Sequence, residues 1–330
     1  MEEIKRAFKQ FSDKKIIVVG DVMIDTYIEG KVTRISPEAP VPVVNFEKKT
    51  LHLGGAANVA LNIKALGATP FICSVIGEDD SSIQFRKLLS ERHLSDKGIL
   101  SSDQRLTSVK TRIIGNNQQL IRIDEERTDD INSIIAYNLI ELIKKITEQE
   151  SIDAIIFEDY NKGVLTKEVI QAVISHANEN EIITTVDPKI KNFLTYENVT
   201  LFKPNLKELK NGLSLDFNFP DDKQAFVKAI ETLNSRINAT YTFVTLSDQG
   251  VYLKYNEKEY FIPAHTRNIA DVSGAGDTVI SVATLCIISG LEPHLMAEIS
   301  NLAGGLVCEK VGVISVDKEQ LLNETNKVIG

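Results

Sequence analysis

Residues 153–187, DAIIFEDYNKGVLTKEVIQAVISHANENEIITTVD, carry the pattern on which the fold turns. The runs at 153–157 (DAIIF) and 182–187 (IITTVD) are nearly continuous in Ile, Val, Phe and Thr. Such runs fit strands covered on both faces. Between them, 167–178 reads as a helix. The same alternation extends outward in both directions. Strands are predicted at 15–20 (KIIVVG), 70–76 (PFICSVI), 199–203 (VTLFK) and 241–246 (YTFVTL). Helices are predicted at 56–66, 82–92, 132–147, 222–237, 276–289 and 293–309. This order predicts the α/β class: a mostly parallel central sheet sandwiched between helices.

Two segments break the rhythm. Residues 26–51 look extended and hold three of the nine prolines, Pro37, Pro40 and Pro42, within six positions. Proline stops a strand or confines it to an edge. Residues 106–123 hold two more candidate strands, 108–114 and 119–123, around Gly115-Asn116-Asn117. Together they read as a small antiparallel sheet, a lid projecting from the main body. No repeat, low-complexity tract or Ser/Gly-rich linker divides the chain, so 1–330 reads as one domain with the lid inserted.

The chain has 330 residues, 46 acidic and 37 basic, for a net charge of −9, and is 43% apolar. A chain of this length can bury a core without disulfides or structural metal. The acidic balance argues against non-specific nucleic-acid binding and against docking on anionic membranes. Residues 1–15 are too charged for a signal peptide. The most apolar stretch, 279–291, is shorter than the ~18 residues of a spanning helix and contains Ser281, Thr284 and Ser289. Cys73, Cys286 and Cys308 lie far apart and read as buried, reduced thiols. A cytoplasmic protein is the expectation. The five histidines form no metal-spaced pair.

Four short motifs can carry chemistry. In Asp271-Val-Ser-Gly-Ala-Gly-Asp277-Thr278, small residues open an apolar helix. Amides of Gly274, Ala275 and Gly276 could stabilise a transferred phosphoryl group while Asp277 takes a proton from the attacking hydroxyl. Asp277 reads equally as a first-turn acid favoured by the helix dipole. Gly54-Gly55-Ala-Ala-Asn58 is a second glycine-led helix start, suited to a polyol or simply to a helix entry with a satisfied Asn. Asp21 and Asp25 follow the first strand, where ligands gather in parallel sheets, though a solvated loop would look the same. Asn205-Leu206-Lys207-Glu208 could hold Mg²⁺ waters, or form a capping box. Among the motifs that are absent are G-x-x-x-x-G-K-[ST], G-x-G-x-x-G, H-E-x-x-H, C-x-x-C and G-x-S-x-G.

Gly54 to Asn58 and Asp271 to Thr278, in this order, resemble the paired signatures of ribokinase-like (phosphofructokinase-B type) sugar kinases. Asp159-Tyr-Asn-Lys-Gly163, Asp187-Pro-Lys189, Lys203-Pro-Asn205 and Val244-Thr-Leu-Ser-Asp-Gln-Gly250 match in the interval. A narrower resemblance is to the D-glycero-β-D-manno-heptose 7-phosphate kinase branch. It rests on Gly20-Asp21-Val-Met-Ile-Asp25, on Arg34-Ile-Ser-Pro-Glu-Ala-Pro-Val-Pro-Val-Val44, and on Arg112 with Gln118-Gln-Leu-Ile-Arg-Ile-Asp124. In that branch a nucleotidyltransferase domain often follows. No His-x-Gly-His occurs here and about twenty residues follow 309, so a stand-alone kinase is the expectation.

The resemblance implies a three-layer ribokinase-like fold with a β-sheet lid that commonly mediates homodimers, and it implies ATP and Mg²⁺. Asp277 resembles the catalytic base, and Gly274, Ala275 and Gly276 the anion hole. Asp21, Gly54, Gly55 and Asn58 resemble sugar contacts, with Asp25 beside them. Asn205, Leu206, Lys207 and Glu208 resemble part of the ATP–Mg²⁺ site, Glu208 reaching the metal through water. Thr245, Ser247 and Gly250 resemble the nucleotide loop, and Asn301 a position near the adenine. Arg34, Arg105, Arg112, Lys162 and Lys189 are candidates for a substrate phosphate, since a phosphate wants cations. The implied activity is ATP-dependent phosphorylation of the anomeric C1 hydroxyl of a heptose 7-phosphate, a step toward nucleotide-activated heptose. Two alternatives are carried: a kinase of the same fold for another sugar phosphate or a nucleoside, and a non-catalytic sugar or nucleotide sensor.

Overall fold

The computed structural model describes residues 2–265 and 267–329. Along the chain the elements are α1 (Glu2–Gln10), β1 (Lys15–Gly20), β2 (Val22–Ile35), β3 (Pro42–Gly55), α2 (Ala56–Ala65), β4 (Thr69–Gly77), α3 (Asp80–Glu91) and β5 (Ile99–Ser102). Next come β6 (Ser108–Gly115), β7 (Gln118–Glu125), α4 (Ser133–Gln149), β8 (Ala154–Glu158), α5 (Lys167–Glu179), β9 (Ile183–Asp187), β10 (Leu201–Phe202) and α6 (Leu206–Gly212). The rest are α7 (Lys223–Ile237), β11 (Tyr241–Thr245), β12 (Val251–Tyr255), β13 (Lys258–Ile262), α8 (Ala275–Ile288), α9 (Pro293–Cys308) and α10 (Lys318–Ile329).

The stretch 153–187 folds as β8–α5–β9, with Glu158 opposite Asp187 in a parallel ladder. The Thr166 hydroxyl caps α5 by accepting from Val169 N–H, and the helix buries Val169, Ile170, Val173, Ile174 and Ala177. On the other side of β8 lies β1, also parallel. Side chains alternate across these strands. Ile17, Val19, Ile155 and Phe157 enter one core with α4, α5 and α7. Ile16, Val18, Ala154 and Ile156 enter the other with α2, α8 and α9. Both faces are therefore covered, and the layers number three.

The main sheet has nine strands in the order β13-β12-β11-β10-β9-β8-β1-β4-β5. All six expected strands fall in its parallel block. β10 is shorter than the predicted 199–203 because Thr184 and Thr200 hydroxyls accept from each other's backbone N–H. Sequence reading missed β5, four residues of which two are serine, and the antiparallel edge pair β12–β13, five residues each, which mix apolar with charged side chains. It also missed α1 and α10; α10 lies among the residues that follow the last expected helix.

The smaller sheet runs β3-β2-β6-β7. Both hairpins are antiparallel, and they meet along the parallel pair β2–β6. Its strands reach further than the expected 26–51 and 106–123: β2 starts at Val22, β3 ends at Gly55 and β7 ends at Glu125. Pro37 and Pro40 lie in the tip, and Pro42 opens the edge strand β3. Asn116 and Asn117 turn the second hairpin with φ of 50° and 63°, as a tight hairpin demands. Register places Asp25, Tyr27, Lys110 and Arg112 on one face, and Ile28, Ile113, Ile121 and Ile123 on the other.

The end of β3 is fixed by backbone contact. Gly55 has φ 61°, and a Cβ there would stand 2.3 Å from the Asp21 carbonyl oxygen. Gly55→Ala is expected to cost about 2 kcal/mol or more through strain and that clash. Urea unfolding measures it, and an unchanged midpoint would contradict this account of the turn.

Candidate active site

Four parallel strands deliver charge to one edge. Asp21 follows β1, Glu158 ends β8, Asp187 ends β9 and Lys203 follows β10, and all four are buried. Above them α8 begins, with buried Asp277 in its first turn. Asn58, in the first turn of α2, donates from Nδ2 to Asp277 Oδ2 at 2.5 Å. The Tyr160 hydroxyl donates to Asp277 Oδ1 at 3.0 Å. The two glycine-led motifs, 219 residues apart, thus meet in one hydrogen bond. Asn62, one turn beyond Asn58, accepts from the Thr278 hydroxyl and from Val316 N–H, which ties α2 to α8.

Gly274 caps α8 with φ 78°. The Ala275 N–H donates to the Val272 carbonyl at 3.3 Å. Those of Gly274, Gly276 and Asp277 find no acceptor among the described residues, which suits an incoming anion. A Cβ at Gly276 would lie 3.4 Å from Asp187 Oδ2 and 3.7 Å from Lys203 Nζ, so glycine keeps this space clear. Burial raises the Asp277 carboxyl above the usual carboxylate range; the Asn58 donor opposes this, and the Asp187 charge adds to it. Burial would raise Asp187 too, but the charges of Lys203, at 2.7 Å, and Lys189, at 3.6 Å, hold it low.

Asp21 is held by backbone. Its carboxylate accepts from the N–H groups of Tyr160, Lys162 and Val164 at 2.9–3.1 Å. Burial and the nearby Asp159 push it up to about 6. Asp25 accepts from Arg112 Nη1 at 2.6 Å, and the guanidinium lies over the Tyr27 ring at 5.2 Å. A Cβ on Gly54 would stand 2.3 Å from Asp25 Oδ2, so Gly54 is the space Asp25 occupies. Lys162 and Lys110 both pair with Glu126, at 2.5 and 3.1 Å. Buried Arg105 donates to the carbonyls of Asp129 and Lys162, joining two loops. Arg34 is exposed near the outer end of β2. Nine residues of strand beyond Asp25 is about 30 Å, so within one chain Arg34 stands apart from the group.

Asn205 and Glu208 form a reciprocal capping box at the start of α6, the second of the two readings open from sequence. Glu208 also accepts from Lys189 at 2.6 Å. Leu206 and Lys207 form the first turn of α6, Leu206 packing on the core below. Asn205 bridges to Thr245, the last residue of β11. Ser247 and Gly250 follow with positive φ. A Cβ on Gly250 would stand 2.1 Å from the Ile262 carbonyl, so the 262–264 segment passes against it. Asn301 Nδ2 then donates to the Pro263 carbonyl at 2.9 Å. The nucleotide-loop candidates form one continuous wall. Glu158, Tyr160, Asp187 and Lys203 were given no site role from sequence, although Tyr160, Asp187 and Lys203 lie within the motifs quoted for the resemblance. Each stands at, or within three residues of, the carboxyl end of an expected strand, a position where ligands gather in parallel sheets.

Residues 13–320 match the pfkB family carbohydrate kinase model. The chain is 39% identical over 320 residues to "Bifunctional protein HldE" of Helicobacter pylori strain G27, covering 96% of this chain and 68% of that protein. It is 38% identical to the protein of the same name from Sulfurimonas denitrificans, covering 96% of this chain and 65% of the relative. Among solved structures it is similar to phosphofructokinase-2 from Escherichia coli in complex with potassium, with TM-score 0.78, 18% identity, and coverage of 96% and 99% of the two chains. Ribokinase of Arabidopsis thaliana complexed with ribose and ATP superposes with TM-score 0.70 at 15% identity, covering 95% and 99%. These folds are ribokinase-like, with a large mostly parallel sheet and a smaller second sheet. No described helix is long and apolar enough to cross a membrane. A family match over nearly all of the chain, on a fold that joins its two signature motifs at Asn58 and Asp277, makes this protein a member of the pfkB family of carbohydrate kinases, phosphotransferases acting on a sugar hydroxyl.

Proposed function

We propose that the protein transfers the γ-phosphoryl group of ATP to the anomeric C1 hydroxyl of D-glycero-D-manno-heptose 7-phosphate, giving the 1,7-bisphosphate. The observation that carries the reading is Asp277: a buried carboxylate at a helix N-terminus, oriented by donors on both oxygens, beside N–H groups with no acceptor among the described residues. Asn58 and Tyr160 fix its rotamer and leave lone pairs for a hydroxyl proton. An anomeric hydroxyl is more acidic than an ordinary alcohol, which lessens the demand on this base. The free amides of Gly274, Gly276 and Asp277 face the charge that develops on the transferred group. The Ala275 amide is already used in a turn.

The sugar would lie between the polar face of the small sheet and the carboxyl edge, near Asp25, Gly54 and Asn58. Asp21 shapes this pocket by holding the loop at 160–164. Arg112, Lys162 and Lys189 surround it as candidate partners for the substrate phosphate. The nucleotide would follow the wall from Asn205 through Thr245, Ser247 and Gly250 to Asn301. Carboxylate oxygens are the ligands a hard cation prefers, and the edge offers several. Mg²⁺ would supply charge balance for the phosphates. Glu208, already engaged by Lys189 and the Asn205 N–H, would reach it through water.

The heptose assignment is supported by the Arg34 to Val44 string and by relatives named "Bifunctional protein HldE". We read 1–330 as one kinase unit with its lid, acting in the cytoplasm in the biosynthesis of nucleotide-activated heptose for a glycan such as lipopolysaccharide core. The outer face of the lid supports a homodimer, since Phe46, Ile121 and Ile123 are 66%, 54% and 46% exposed.

Asp277→Asn loses a proton acceptor and little volume. Its turnover is expected to fall by ~10²–10⁴-fold while calorimetry finds ATP and sugar binding retained; more than about a tenth of wild-type turnover would reject Asp277 as base. A panel of heptose 7-phosphate, fructose 6-phosphate, ribose and adenosine, read by ADP release, tests the substrate. The heptose phosphate is expected to give the highest kcat/KM. Preference for another acceptor would replace the substrate assignment, and no sugar-dependent ADP would point to a sensor.

A further inference from the structure

Arg105 has the charge a substrate phosphate wants, but the structure commits it elsewhere. It lies between β5 and β6, where the chain passes from the main sheet to the small one. It is 8% exposed. Its Nη1 donates to the Asp129 carbonyl at 2.6 Å, and its Nη2 donates to the Lys162 carbonyl. Its Nε is buried with no hydrogen-bond partner among the described residues. A phosphate ligand turns its guanidinium fork to the anion. Here both terminal nitrogens are turned to backbone.

Those two carbonyls belong to different loops. Asp129 lies on the return passage from β7 to α4, and Lys162 on the loop between β8 and α5. The two loops also touch directly. The Ile131 N–H donates to the Gly163 carbonyl at 2.9 Å. A Cβ on Gly163, which has φ 88°, would stand 2.1 Å from the Asp129 carbonyl oxygen. On its inner side the second loop meets the site. The Lys162 N–H donates to Asp21 at 3.0 Å. Tyr160 donates its N–H to Asp21 and its hydroxyl to Asp277. The Lys162 residue is therefore gripped at both backbone polar groups, by Asp21 within and by Arg105 without. Buried carbonyls need partners, and Arg105 is the one donor to either carbonyl among the described residues.

We propose that Arg105 is a positioning residue for phosphoryl transfer: by holding the Lys162 carbonyl it sets the 160–164 loop, and through Tyr160 the orientation of Asp277. The inference rests on the reading of Asp277 as base. Arginine suits the task because its planar fork reaches the carbonyls of two loops at once, which the single nitrogen of lysine does not reproduce. The route does not pass through Asn58, whose donor comes from α2. Loss of Arg105 therefore leaves Asp277 with one of its two donors in place and the other adrift.

Arg105→Met removes both donors and keeps much of the stem. Its kcat is expected to fall about 10–100-fold, the effect of a small misplacement of a reacting group. KM for sugar and for ATP should stay within about threefold of wild type, since no binding contact is lost. A phosphate ligand would instead raise KM for the sugar phosphate. The double variant with Tyr160→Phe should be no slower than the slower single variant, because both changes act on one contact. Amide exchange of the free protein, read by mass spectrometry, should be faster over 158–166 in Arg105→Met. Should that variant not fold, Arg105→Lys keeps the charge and one donor and should show the same pattern with a smaller loss. Multiplied losses in the double variant, a raised sugar KM at unchanged kcat, or unchanged exchange over 158–166 overturns the proposal. The exchange measurement contains no substrate, and Asp277→Asn tests the base by itself, so failure of the brace and failure of the base are told apart.

Discussion

Strands β8 and β9 end on acidic side chains and β1 is followed by one, all at one buried edge, and the repulsion among them is the constraint the surrounding structure answers. Each carboxylate is handled differently. Asp21 is met by three backbone N–H groups. Asp187 is met by two lysines. Asp277 is met by an amide and a phenol, neither of them charged. That difference matters for chemistry. Fixed cations keep Asp187 ionised at low basicity, whereas neutral donors and burial leave Asp277 oriented yet more basic. The Glu158 carboxylate meets no hydrogen-bond donor among the described residues.

Glycines and helix packing hold this arrangement in place. Gly54 makes room for Asp25, Gly55 lets the chain turn against the Asp21 carbonyl, and Gly276 keeps the cluster open. Asn62 then locks α2 to the start of α8, so the base and its Asn58 donor belong to one rigid unit. The small sheet grows out of the same place, because β2 starts and β3 ends beside Asp21. Its polar face, with Asp25 and Arg112, is continuous with the edge, and its apolar face points away. A movement of this sheet would therefore change the sugar side of the site while leaving the Asn58–Asp277 contact intact.

Much of the fold was legible because buried parallel strands are read from composition alone: 15–20, 153–157 and 182–187 needed no tertiary information. The β12–β13 hairpin was not, since residues such as Lys254, Lys258 and Glu259 dilute its apolar signal and pairing with β11 stabilises it. The amphipathic α1 and α10 were missed for a like reason, each burying only a few side chains. Within the site, Gly54–Asn58 and Asp277 stood out because glycine-led helix starts leave a local mark. Tyr160 lay in a quoted motif without a role; its contact with Asp277 comes from a loop held by Asp21. Asn205 and Glu208 carried two readings, and local geometry supplied the capping box. Arg34 illustrates the reverse: a distinctive sequence neighbourhood set far from Asp277 by the length of a strand.

The central claim is that this edge moves a phosphoryl group onto an anomeric oxygen. Phosphorus-31 NMR of the protein with ATP, Mg²⁺ and D-glycero-D-manno-heptose 7-phosphate tests it most directly. The account predicts a second sugar-phosphate resonance coupled to the anomeric proton, growing in step with ADP. Inorganic phosphate in its place, or a new phosphate coupled to any other sugar proton, would contradict it.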